Sequence, residues 1–324
     1  MSVVRTVLGD IEPANLGPTY AHEHLVIDGG RFVEISPDFQ LADVDLAVQE
    51  VTAAQAMGLA AVIDAMPCGA GRNVRKLAEI SRRTGLHVVA PTGLHLGRYY
   101  ADDHWSRTSS VEQLAGRFIA DIAEGVDAND YRGTFLQRTG HRAGVIKIAA
   151  GETGLSALEQ RVYEAAAIAH LVTGVPILAH CTEGRAAPEQ LRVLADHGVD
   201  LGHVVVSHAD KVVDRGYHRE IHATGACQEM DQGFRWKSGM ENGTLTLLSW
   251  LIEDGYGAQL MLGMDAARQG YWTAYGGAPG MTYLLGAFSD LMEAHGIGAD
   301  ARRALFVTNP ARAFAFATPR EVRA

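Results

Sequence analysis

The chain has 324 residues, 47% of them hydrophobic, a size at which a single large α/β core is expected. Its 28 Lys and Arg against 38 Asp and Glu give a formal charge of −10, which excludes an extended phosphate-backbone groove as the main binding surface and hence nucleic acid as the expected partner. Three widely spaced cysteines, Cys68, Cys181 and Cys227, fit neither a disulfide framework nor a zinc knuckle; with no leader-like start and no run of about 18 apolar residues, a cytoplasmic protein without a membrane segment is expected.

Short apolar runs rich in β-branched residues centre on residues 20–26, 60–65, 86–92, 144–149, 175–179, 203–207, 223–228 and 259–263. Between them, residues 44–57, 73–84, 111–124, 158–173, 188–197 and 243–254 carry apolar side chains three or four apart, the period of a helix with one buried face. Eight such alternations predict an α/β fold, a closed (β/α)8 TIM barrel forming one domain over residues 1–324. Gly58, Gly85, Gly174 and Gly198 stand where helices should stop, because glycine readily takes the left-handed conformation that ends them. The longest irregular stretches, 94–110, 229–242 and 266–280, each follow a strand and are expected on the catalytic face as substrate loops.

The predicted strand ends carry the chemistry. His22 and His24 close the first, Lys147 lies in the fourth, His180 closes the fifth, His208 the sixth and Asp265 the eighth. A parallel barrel brings those ends to one mouth, and imidazole with carboxylate is a ligand set for zinc and its neighbours, so these residues are expected to form a metal site. On a strand His22 and His24 share a side, with Glu23 facing away. Lys147, inside Val-Ile-Lys-Ile-Ala-Ala, would leave an ammonium in an apolar barrel. Either it pairs with an interior carboxylate such as Glu152, or its neutral amine takes up carbon dioxide and becomes an anionic ligand able to bridge two cations.

The set His22-x-His24, Gly144-Val-Ile-Lys147, His180-x-x-x-Gly184, Ser207-His208, Gly263-Met-Asp265 and Val307-Thr-Asn-Pro-Ala-Arg312 resembles the phosphotriesterase family of the amidohydrolase superfamily over nearly the whole chain. Gly58-Leu-Ala-Ala-Val-Ile-Asp64, Gly71-Arg-Asn, Ala90-Pro-Thr-Gly93 and Arg142-Ala-Gly144 also keep the family's order and spacing. The resemblance implies a homodimer and two divalent metal ions, zinc first, with manganese, cobalt or iron also accepted by such ligands. It implies that His22, His24 and Asp265 hold the buried metal and His180 and His208 the exposed one. Carbamylated Lys147 and a hydroxide would bridge them, and Asp265 would take the hydroxide's proton and pass it to the leaving group.

Past Asp265, Arg268 and Tyr271, with Lys237 from the preceding loop, resemble the phosphate clamp of the branch that hydrolyses phosphorylated sugar lactones. A guanidinium, an ammonium and a phenol suit that anion; the alternative is that Arg268 pairs with a loop carboxylate and Tyr271 merely packs. His95 stands where homoserine-lactone hydrolases carry a tyrosine, and the loop from Gln228 to Gly233 lacks the arginine associated with that group. His95, Arg98 and Tyr99 belong to a loop suited to a hydroxylated ligand. The expected activity is opening of a phosphorylated aldonolactone, a small anionic substrate. An amidase of anionic N-acyl amino acids or N-acyl taurine is the alternative, followed by a phosphotriesterase or aryl esterase and by a non-catalytic metal- or ligand-binding barrel.

Overall fold

The computed structural model describes residues 2–236 and 241–320. Val4–Thr6 (β1) and Gly9–Ile11 (β2) pair as an antiparallel hairpin that the sequence periodicity does not announce. Thr19–Glu23 (β3), Ala61–Asp64 (β4) and His87–Val89 (β5) then run parallel in that order. Pro91–Gly93 (β6), Val145–Ala150 (β7), Ile177–Cys181 (β8), Val204–Ser207 (β9), Cys227–Met230 (β10) and Leu260–Leu262 (β11) continue the parallel series. Only Ala90 separates β5 from β6, and Pro91 has no amide to extend a ladder, so one predicted strand serves two sheets across a kink.

At the far edge, the amides of Met264 and Asp265, just past β11, donate to the His22 carbonyl at 3.2 and 3.0 Å, bringing the last strand back to the first. Gly263 permits this approach, since a Cβ there would lie 2.9 Å from the His22 backbone. Gly93 does the same inside the wall, where a Cβ would fall 1.9 Å from the Lys147 carbonyl. The architecture is the predicted α/β barrel. The seventh strand, however, lies later than residues 223–228, because Arg215–Ala223 is a helix whose N-terminus is capped by Asp214.

Ala21, Ile63, Val89, Val145, Leu178, Val205, Cys227 and Met261 pack in one fully buried interior layer, one from each strand path. Val4, Leu16 and Phe314 join that layer. Their neighbours Tyr20, Val62, Val88, Ile146, Ile177, Val204 and Leu260 belong to the surrounding core, where each large side chain removed from water contributes about 1.5–3 kcal/mol. The period of two then places the next inward positions nearer the mouth. Lys147 follows Val145, His180 follows Leu178, Ser207 follows Val205 and Glu229 follows Cys227. In β3 the register against β4 shifts between Tyr20 and Glu23, which breaks the alternation just where His22 stands.

Candidate metal centre

The predicted strand-end residues meet in space. His22 Nε2 lies 3.5 Å from Lys147 Nζ and 3.6 Å from Asp265 Oδ1, and His24 Nε2 lies 3.1 Å from the same carboxylate oxygen. The His208 ring centre is 4.8 Å from that of His22 and 4.5 Å from that of His180. His208 and Asp265 both hold left-handed backbone, with φ of 65° and 49°. For non-glycine residues this costs on the order of 1–3 kcal/mol each, a strain typical of functional sites.

Two further carboxylates, absent from the sequence expectation, stand behind the histidines. His22 Nδ1 lies 2.8 Å from Glu229 Oε1 and 3.1 Å from Ser207 Oγ, and His208 Nδ1 lies 2.5 Å from Asp231 Oδ2. A carboxylate on Nδ1 orients the ring, sets its tautomer and raises its basicity as a ligand. The signal for Glu229 and Asp231 is the alternation Cys227, Glu229, Asp231, which the apolar run over 223–228 hides by pointing to an earlier seventh strand. Glu152 is exposed; the carboxylates whose charges act on Lys147 are Glu229, Asp265 and Asp231.

Burial holds His22, His95 and His180 well below the ordinary histidine range, so these imidazoles are neutral, as metal ligands must be. Burial also lowers Lys147 to about 8, the surrounding carboxylates opposing it, which brings a neutral amine within reach at physiological pH. Burial, reinforced by the charge of Asp231, pushes Glu229 well above the carboxylate range. Burial acts the same way on Asp231 and Asp265 but loses. His208 holds Asp231 at about 2, and the His24 hydrogen bond with the Arg235 charge holds Asp265 well below its usual range. The neutral imidazoles of His22 and His180, with the other histidines, the Asp265 carboxylate and a lysine amine weakened as a base by burial, form a donor set that fits divalent cations.

A profile of the Phosphotriesterase family matches residues 2–314. The chain belongs to the phosphotriesterase family. A phospho-furanose lactonase from Mycoplasmopsis synoviae is 31% identical over 322 residues, 96% of this chain and 91% of that protein. The crystal structure of an amidohydrolase from Mycoplasma synoviae matches with a TM-score of 0.93 at 29% identity, covering 98% of this chain and 93% of the other. That of a lactonase from Listeria monocytogenes matches with a TM-score of 0.89 at 27% identity, covering 98% and 100%.

In this phosphotriesterase-family chain the candidate ligands floor a cavity of 330 Å³ whose lining also includes His95, Arg98, Tyr99, Lys211, Arg235, Arg268 and Tyr271. One wall is aromatic: Tyr99 stacks between Phe32 at 3.7 Å and His95 at 3.6 Å, and His95 lies 4.7 Å from His180. Arg268 lies over the Phe39 ring, 4.0 Å from its centre, with Asp38 Oδ2 at 3.4 Å, a half-exposed and loosely held guanidinium. Tyr271 packs edge-on against Phe234 at 5.0 Å. Lys237 lies outside the described residues. The loop after β10 does carry an arginine into the cavity, three positions beyond Gln232: Arg235, 3.2 Å from Asp265 Oδ2. Among the described residues no helix is long and apolar enough to cross a membrane.

Proposed function

We propose that this phosphotriesterase-family chain is a metal-dependent lactonase that opens a phosphorylated sugar lactone. The observation that carries the reading is the juxtaposition of a buried donor cluster with a cavity rimmed by Arg98, Lys211 and Arg268. At 330 Å³ that cavity is of small-molecule size. In this reading His22, His24 and Asp265 would hold one divalent ion, zinc first, and His180 and His208 a second, with Lys147 as a further anionic ligand once carbamylated. When bound, the metals acidify the attacking water and polarise the lactone carbonyl.

The remaining work falls to the chain. Asp265, ionised in its surroundings, accepts the proton of the water as it adds to the carbonyl carbon. The ring C–O bond then breaks, and Asp265 returns that proton to the departing alkoxide, leaving a hydroxy acid. The Phe32–Tyr99–His95 wall faces the carbon skeleton of the sugar, while Arg268, Tyr271 and Lys237 hold the phosphate. The reading includes a single barrel domain over residues 1–324, a cytoplasmic setting and a homodimer; the net charge of −10 supports a small-molecule rather than a nucleic-acid partner.

A pH-indicator assay of the zinc- or manganese-loaded protein against aldonolactones, with and without a terminal phosphate, and against N-acyl amino acids and N-acyl taurines, tests it. Turnover confined to phosphorylated lactones is expected. Arg268→Ala should raise KM for these substrates about tenfold or more, the loss of a charge-assisted contact, with kcat nearly unchanged. Cleavage of amides with inert lactones would overturn the substrate and leave the metal chemistry standing, because a cationic rim also suits a carboxylate or sulfonate.

A further inference from the structure

Asp265 keeps a left-handed backbone at φ 49°, which an L-residue holds only when its surroundings impose it. Two side chains without a ligand role do so. Glu23, between the two histidines of β3, does not merely face away: it is fully buried, and its carboxylate accepts from the amides of Met264 at 2.8 Å and Ala266 at 3.2 Å, the residues flanking Asp265. On the cavity side, Arg235 Nη1 donates to the main-chain oxygens of Asp231 at 2.5 Å and Met264 at 2.9 Å. Its Nη2 donates to the Asp265 carbonyl at 2.6 Å and to Asp265 Oδ2 at 3.2 Å.

The two loops after β10 and β11 are thereby tied together, and the Asp265 carboxylate is held at both oxygens, His24 meeting Oδ1 and Arg235 meeting Oδ2. A carboxylate gripped at both ends cannot rotate. Arg235 also has little left to offer a substrate, since four of the five N–H bonds of a guanidinium are used by these contacts. The rings of Phe234 and Tyr271, whose centres lie 4.5 and 5.4 Å from its central carbon, set its own position. Arg268 is the opposite case, half-exposed over the Phe39 ring, with one carboxylate contact, Asp38 at 3.4 Å.

We propose that Arg235 and Glu23 are positioning residues that brace Asp265 from either side, and that Arg235 governs the rate of the step Asp265 performs rather than the affinity for substrate. The proposal rests on the reading of Asp265 as ligand and proton carrier. It is tested with Arg235→Met, Arg235→Lys and Asp265→Asn in the metal-loaded full-length enzyme. The readouts are kcat and KM for a phosphorylated lactone and the metal content per chain after dialysis.

Arg235→Met should lower kcat on the order of ten- to a hundredfold, the range of a lost charged hydrogen bond, with KM within about threefold and metal content unchanged. Arg235→Lys should recover part of kcat, because an ammonium restores charge beside Oδ2 but cannot span three carbonyls. A raised KM with intact kcat, or no change in either, would overturn the proposal, as would equal loss in the two Arg235 variants. If Arg235→Met does not fold, Glu23→Gln, which turns an amide donor against one of the two backbone N–H groups, should show the same fall in kcat; unchanged kcat there would refute the brace. An active Asp265→Asn would remove the underlying reading itself, whereas an inactive one beside a normal Arg235→Met would remove the brace alone.

Discussion

Replacing Arg72 with methionine removes the cation from a fully enclosed network. The guanidinium donates from Nη1 to Asp121 Oδ2 at 2.9 Å and to the Pro91 carbonyl at 2.7 Å, and from Nε to Asp130 Oδ1 at 2.9 Å. Asp121 has other support, from Thr92 Oγ1 and Arg138 at 2.9 Å and Tyr131 at 2.6 Å. Asp130 would keep the Gly69 amide at 2.7 Å, so the damage falls on that buried carboxylate. Breaking a buried pair by removing one partner costs about 3–5 kcal/mol. At about 2.1 cal/mol/K of unfolding entropy per residue, a chain of 324 residues gains about 0.7 kcal/mol/K. The melting temperature should therefore fall by about 4–7 °C.

The pH dependence gives the prediction a sign. Burial already raises the Asp130 carboxyl above its ordinary range despite Arg72, and loss of the guanidinium raises it further. A carboxyl whose folded value lies above its unfolded one contributes stability below the unfolded value and loses it as pH rises through the folded one. The deficit of Arg72→Met against the parent should thus be larger at pH 8 than at pH 5 in thermal unfolding followed by circular dichroism. A shift under about 1 °C, or a deficit equal at both pH values, would refute the reasoning. The effect should also reach the site, because Pro91 opens β6, whose Gly93 pairs with Lys147.

Glu229→Gln keeps the shape beside His22 but takes away the carboxyl group that partners Nδ1, and should weaken metal binding about ten- to a hundredfold in competition with a chromogenic chelator; unchanged affinity would mean that the His22 contact is only packing. If Lys147 is carbamylated, reconstitution of metal-free protein in buffer stripped of carbon dioxide should stop short of full metal loading and recover on adding bicarbonate. Loading indifferent to bicarbonate would exclude the carbamate.

The family and most of the candidate ligands were legible because they are local features. Hydrophobic runs separated by helical spacing place strand ends within a few residues, and His22, His24, His180, His208 and Asp265 each sit at or just past such an end, with Lys147 inside a strand. The buried lysine was conspicuous for the same reason, as a charge inside a run of β-branched residues. Where the local signal was weak the reading slipped. The helix Arg215–Ala223 carries His, Arg and Glu through its length, so its period is faint, and the apolar signal points to a strand over 223–228 that leaves Glu229 in a loop.

What the chain determined alone was which residues alternate and which segments end, since both depend on neighbours a few positions away. Tertiary structure decided the rest. Glu229 and Asp231 matter because β10 lies beside β9 and opposite β3, and Glu23 because β3 abuts the turn after β11. Arg235 matters because its loop folds over that same turn. These are contacts between residues far apart in sequence, and the left-handed backbone of Asp265 is imposed from outside its own segment, so no period within the chain could have announced them.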